Sequence, residues 1–379
     1  MKKTIAVSLS LLFLLSGCGS TNEPEEVMDE NKIDIHDQTS GNGAREYLKY
    51  NVKSDSFAVN RGLITETINN KIDMDEIETG LMTLSKEFFS PDTFLYEEGQ
   101  FLTDVTSWIG RKSADNQQGL NPEIKVTDDM GWEKKMEIQK KNPMYLAYIH
   151  EQNYVDTKGN IKGISLGLAM NTIDYIRVQD SQGLMHFGEV RIDKKEMEKQ
   201  GREMAEKVIS RVRKIEGLGN IPIMISLYNV QEQNSVIPGN YYAYSFVKEN
   251  ENKIKNWEQV NQQYYYFPSD AGEKKDRDMA ERLLNLEDYV NQYFTNQDID
   301  FVGKALYEEE DITKLVIEVS SEMIKSPEII GFSQAIVPEL VDYFPHTPAY
   351  VYVKTPKGIK ATIIKEEDQE PFVHIHEDN

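Results

Sequence analysis

The stretch EKKDRDMAERLLNLEDYVNQYF, residues 273–294, carries the clearest periodicity in the chain. Met279, Leu283, Leu286, Val290 and Tyr293 recur at alternating spacings of four and three, which lines them along one face of an amphipathic helix. Two strand-like runs follow at 301–307 and 313–320. The same order then recurs downstream. Ser326 is placed as an N-cap and Pro327 at the first helical position of a helix running toward Phe344, with a kink expected at Pro338; a hairpin closes around Thr355, Pro356, Lys357 and Gly358. Upstream, a helix over 195–215 presents Met197, Met204, Val208, Val212 and Ile215 on one face and stops at Gly217 and Gly219. Strands are expected after it at 221–228 and 241–247, before it at 145–149, 163–170, 173–178 and 187–192, and at 262–267. The predicted class is α+β, with helices packed on mixed or antiparallel sheets. Helix-strand-strand units begin at Lys195, Glu273 and Ser326, and no residue-level repeat accompanies them.

The N-terminus reads differently. Lys2 and Lys3 precede an apolar run from Ile5 to Leu15, and Ser16-Gly17 leads to Cys18, the one cysteine of the chain. The run is too short for a transmembrane helix, which needs about 20 apolar residues, and it suits a cleaved signal. Cleavage between Gly17 and Cys18 would leave a thiol free to carry a lipid, and two acyl chains suffice for stable membrane attachment. The expected location is the outer face of the cytoplasmic membrane. A single thiol makes no internal disulfide, so stability must come from an ordinary core.

The expected organisation is a lipoprotein signal peptide at 1–17, a polar tether at 18–45, a mixed helical and loop region at 46–143, an α+β domain at 144–365 and an acidic tail at 366–379. Within 46–143, Ile77, Leu81, Leu84 and Phe88 mark a helix that Ser90-Pro91 ends. The net charge of −22 argues against nucleic acid and anionic headgroups as partners, leaving the lipid to hold the chain at the membrane.

Four constellations could carry chemistry. Gly163-Ile164-Ser165-Leu166-Gly167 has the spacing of a nucleophile elbow, which would make Ser165 the centre of a cell-envelope serine hydrolase. The elbow requires a helix next, whereas 168–178 reads as strand-turn-strand, so the glycines equally suit a tightly packed strand. His374 and His376, beside Glu366, Glu367, Asp368 and Glu377, could ligate a metal, but a frayed tail offers no fixed surroundings, and neither a metal nor another cofactor is expected. Asp298, Asp300 and the carboxylates from Glu308 to Asp311 lack the spacing of a calcium loop and read as a solvated turn. Tyr242 and Tyr244 on one strand, with Tyr264 and Tyr266 on another, could border a groove for a cell-envelope or peptide ligand, core packing being the alternative.

Segments at 80–86 (GLMTLSK), 95–100 (LYEEGQ), 119–122 (GLNP), 163–171 (GISLGLAMN) and 240–244 (NYYAY), together with the lipid-attachment pattern, resemble the CamS family of sex-pheromone lipoproteins of low-GC Gram-positive bacteria. The resemblance covers nearly the whole chain and implies an extracytoplasmic lipoprotein, not an enzyme, whose discarded signal is trimmed to a short apolar pheromone. The matching peptide runs from Leu11 to Gly17, Leu-Leu-Phe-Leu-Leu-Ser-Gly, and departs from the Ala-Ile-Phe-Ile-Leu-Ala-Ser pattern of the family.

Overall fold

The computed structural model describes residues 72–294, 299–322, 325–367 and 369–376. The signal peptide, Cys18, the tether and Asp298 lie outside the described residues. Two six-stranded sheets dominate. The first takes the order β1 (Leu95–Glu98), β2 (Leu146–Val155), β3 (Ile161–Asn171), β6 (Ile223–Val230), β7 (Asn240–Val247) and β8 (Glu258–Gln259). The second runs β9 (Gln262–Phe267), β10 (Ile299–Glu308), β11 (Asp311–Ser321), β12 (Ala349–Thr355), β13 (Gly358–Lys365) and β14 (Phe372–Ile375). A hairpin of β4 (Ile173–Gln179) and β5 (Met185–Arg191) stands apart.

The two sheets share one topology. Each places its six strands in chain order, antiparallel except for a single parallel pair at the centre, β3 with β6 and β11 with β12. A parallel pair needs a long crossover, and a helix supplies it in both cases: α4 (Lys194–Val212) in the first sheet and α7 (Ser326–Tyr343) in the second. The fold is therefore a two-fold repetition of strand order, and the three units expected from sequence are parts of it.

Helix ends follow local chemistry. Asp193 caps α4 by accepting N–H bonds from Lys195 and Glu196, and Glu328 reaches back to the N–H of Lys325 at the start of α7. The helix expected over 273–294 is divided. Asp276 ends α5 (Asp270–Lys275) and accepts from the Met279 N–H at 2.9 Å to open α6 (Arg277–Tyr293). Met279, Leu283, Leu286 and Val290 are buried as the periodicity requires, while Tyr293 lies 64% exposed.

Three packed layers result. On one face of the first sheet, Met197, Met204, Val208 and Val212 of α4 meet Ile164, Leu166 and Leu168 of β3, joined by Val105 and Ile109 from α2 (Val105–Ile109). The second sheet is covered by α6 and α7. On the other face of the first sheet lies α1 (Met74–Ser85), whose Ile77 and Leu81 pack near Phe89, Tyr154 and Tyr241. The helix α3 (Trp132–Lys141) packs its Met136 on the β4–β5 hairpin. The boundary expected at 143/144 thus runs through the first sheet, because β1 pairs with β2. The acidic tail expected to fray contributes β14, paired with β13 through residues 372–375.

The 163–167 segment lies wholly within β3, so the strand-to-helix turn of a nucleophile elbow is absent there. Alternation along the strand turns Gly163, Ser165 and Gly167 toward α1 and Ile164 and Leu166 toward α4. A Cβ at Gly163 would stand 2.0 Å from the Phe89 ring, which stacks on Tyr154 at 4.4 Å, and one at Gly167 would stand 2.6 Å from the Tyr241 hydroxyl. Ser165 is fully buried and accepts a 2.7 Å hydrogen bond from Ser85 of α1. The glycines admit aromatic rings, and the serine pins a helix.

Packing and burial generate two expectations. Gly163→Ala should cost about 2 kcal/mol or more through overpacking against Phe89, and Ser165→Ala about 1 kcal/mol through one lost buried hydrogen bond, both read from urea midpoints. His150, buried on β2, has its pKa lowered to about 4 by desolvation, below the ordinary 6.5. The unfolded chain then takes up the proton first, so this contribution is full above pH 6.5 and is lost as pH falls toward 4. At about 1.4 kcal/mol per pKa unit the loss is about 3 kcal/mol. His150→Gln should flatten the pH dependence of the urea midpoint across that window; an unchanged slope would show that His150 titrates normally.

Candidate functional site

The two sheets meet along one stretch of backbone. Residues 258–260 belong to the edge of the first sheet, with β8 on β7 and the Val260 N–H donating to the Tyr242 carbonyl at 3.0 Å. Two residues on, β9 pairs with β10 from Gln262 to Phe267. Where this chain leaves one sheet for the other, the flanking elements part and leave a cleft of about 550 Å³. Its volume lies in the range of ligand sites.

Each wall has its own chemistry. On the side of the first sheet stand Asn229, Gln231, Tyr242, Arg191 and Lys194. Asn229 and Asn240 are linked side chain to side chain at 3.1 Å, and the Asn240 amide also donates to the Gln262 carbonyl at 2.7 Å, tying the two sheets. On the side of the second sheet, Tyr265 and Tyr307 meet edge to face at 5.5 Å, and the Lys275 ammonium lies 5.2 Å from the Tyr307 ring. Tyr307 donates to Asp276 at 2.9 Å. Lys275 is held by Glu310 at 2.7 Å, which raises its pKa.

A second, smaller cavity of about 230 Å³ lies behind residues 262 and 264, against α1. Between them sits a clamp. The Tyr264 hydroxyl donates to Glu76 of α1 at 2.5 Å, Lys304 of β10 donates to the same carboxylate at 3.1 Å, and the ammonium lies 5.1 Å from the Tyr264 ring. Burial pulls the Lys304 pKa down, but Glu76 outweighs it and leaves it above the ordinary lysine value. Burial and the Glu76 charge raise that of Tyr264, which remains a donor.

The four tyrosines expected to border one groove do not share a face. Tyr242 and Tyr264 line the cleft, Tyr244 turns toward Glu87 and Phe88 on the α1 side, and Tyr266 stands away from the cleft lining. For Tyr244 the cause is a β-bulge. The register of β6 with β7 slips between Leu227, opposite Ala243, and Tyr228, opposite Tyr241, so Tyr242 is the extra residue and the alternation reverses across it. Tyr242 joins the α4 layer while Tyr241 and Tyr244 join the α1 layer. Tyr265 completes the aromatic wall, backed by the buried Tyr307.

Other candidate groups do not converge. Asp300 and the Glu308–Asp311 turn occupy opposite ends of the β10–β11 hairpin. His374 and His376 pack ring edge to face at 4.6 Å, and His376 bonds Thr362 at 2.9 Å. Among the described residues no group of three or more His, Cys, Asp or Glu side chains is placed to hold a metal.

The segments that carried the family resemblance prove to be structural joints. Gly80 and Ser85 of α1, Gly163 to Gly167 of β3 and Tyr241 of β7 meet in one layer, where the Tyr241 hydroxyl donates to the Ile77 carbonyl at 2.9 Å. Asn121, in the 119–122 segment, accepts from the N–H groups of Tyr145 and Leu146 at 2.7 and 2.9 Å and anchors the start of β2. The chain after Gly99 donates three N–H bonds, from Gln100, Phe101 and Leu102, to the buried Glu151 carboxylate.

Comparison with known proteins agrees with this arrangement. The C-terminal domain of sex pheromone staph-cAM373 precursor from Staphylococcus aureus is 28% identical, covers 80% of this chain and 96% of its own, and superposes with a TM-score of 0.69. The sex pheromone precursor from Lactobacillus salivarius subsp. salivarius UCC118 is 25% identical, with 85% and 93% coverage and a TM-score of 0.73. No curated protein matches the chain. The family profile described as CamS sex pheromone cAM373 precursor matches residues 56–371, and the chain belongs to that family.

Proposed function

We propose that this chain is a lipoprotein tethered through Cys18 to the outer face of the cytoplasmic membrane, and that its two-sheet body binds an envelope ligand or partner in the inter-sheet cleft without transforming it. Residues 1–17 form the removed signal, and the segment from Leu11 to Gly17 is the source of a short apolar pheromone. The observation that carries the binding reading is the cleft itself, where aromatic rings and carboxamides face one another across a gap wide enough for a ligand. Ser165, sealed between β3 and α1, takes no part. The family description as a pheromone precursor supports the role of the leader. No helix among the described residues is long and apolar enough to cross a membrane.

Three measurements test this. Mass spectrometry of the membrane fraction should find Cys18 as the acylated N-terminal residue, and Cys18→Ala should leave the signal uncleaved; a bare thiol would refute the tether. Amide hydrogen exchange of the full chain should slow at residues 261–265 when soluble envelope extract is added. The synthetic heptapeptide from Leu11 to Gly17 should induce mating aggregation, and inactivity across a wide concentration range would count against the pheromone role.

A further inference from the structure

We infer that the inter-sheet cleft binds an anionic glycan, which rests on the ligand-binding reading above and specifies its chemistry. The lining holds six carboxamide side chains against four aliphatic ones, so its demand is for hydrogen-bonding surface. Asn261, Gln262 and Gln263, in one run along the cleft floor, make no side-chain hydrogen bond among the described residues, and neither does the Tyr265 hydroxyl. A carboxamide presents a donor and an acceptor on one plane, a match for neighbouring hydroxyls on a sugar ring. The half-buried Tyr265 ring, backed edge to face by the buried Tyr307, offers the flat apolar surface that the carbon face of a pyranose needs.

Charge selects the anion. Arg191, Lys194 and Lys275 line the cleft with Glu309 as the one carboxylate, in a chain whose net charge is −22. Arg191 is engaged by Glu232 at 3.2 Å and Lys275 by Glu310, whereas Lys194 is exposed and has no ion pair among the described residues. Lys194 is thus the lining cation that no carboxylate engages, and on an acidic body it attracts a ligand that the remaining surface repels. The apolar side chains of residues 11–17 would instead desolvate these groups without replacing their hydrogen bonds, so the leader peptide is not the occupant. Two envelope sources share the required chemistry: carboxylate-bearing amino sugars and phosphate-bearing glycosylated polyols.

The test is calorimetric titration of the mature full-length chain in detergent micelles at low salt. The probes are the N-acetylglucosamine–N-acetylmuramic acid disaccharide, a glucose-substituted glycerol phosphate oligomer, neutral chitotetraose, tetraglutamate and the Leu11 to Gly17 heptapeptide. One of the first two should bind at least tenfold more tightly than chitotetraose, and which one does identifies the source. Lys194→Glu and Gln263→Ala, both at exposed positions, should each weaken it about fivefold or more with an unchanged melting temperature, and added salt should weaken it further. Equal affinity for chitotetraose with no effect of Lys194→Glu would remove the anion. Binding of tetraglutamate alone would overturn the glycan while leaving a binding cleft. Silence of every probe together with unaltered exchange at 261–265 in envelope extract would overturn both.

Discussion

One stretch of main chain, residues 258–267, is hydrogen-bonded into both sheets, and the remaining arrangement depends on that sharing. A strand has two edges, and this one gives its first part to β7 and its second to β10. The two sheets are therefore joined by the main chain at residues 260–261, and the cleft lies beside that junction. The Glu76 clamp closes its rear, joining α1 to β9 and β10 through a half-buried carboxylate that two donors satisfy at once. Removing one donor from such a group would leave charge poorly compensated, which is why the clamp holds more firmly than an exposed ion pair.

The repetition of strand order gives each sheet a core beneath its own crossover helix, and a third cluster lies between the first sheet and α1. Each sheet buries one face of its central parallel pair beneath a crossover helix. In the first sheet α4 and α1 cover the two faces. The second sheet is covered by α6 and α7 on one face; on the other, α1 reaches Lys304 of β10, and the parallel pair carries the exposed Glu318–Lys354 ion pair. The shared topology carries no shared side-chain pattern because its constraints are on backbone direction and on apolar alternation, both of which many residues satisfy.

Much of this was legible in the sequence. The apolar spacing of 279–290 and 197–212 fixed two helices, and β-branched runs located the long strands. Three kinds of feature were not. The edge strands β1, β8 and β14 are two to four residues long, too short for alternation to mark them. The buried centre of β2 reads His150, Glu151, Gln152, Asn153, a polar run whose partners are supplied by distant loops and by α1. The bulge at Tyr242 inverts the facing of every residue after it, and nothing in the sequence around Tyr241 and Tyr242 announces an extra residue opposite Leu227 and Tyr228.

The bulge also bears on the site. It keeps Ala243 on the same side as Tyr242 and sends Tyr244 to the α1 side, leaving Tyr242 as the ring that this sheet gives to the cleft. The floor obeys the same alternation. Gln263 and Tyr265 face the larger cavity, while Gln262 and Tyr264 border both cavities and reach the clamp side. A ligand seated on Gln263 and Tyr265 therefore presses on the same six-residue strand whose next side chain is bonded to Glu76. The fold thus puts the cleft floor and the Glu76 fastening on one strand, so a shift of the floor would be felt at the fastening.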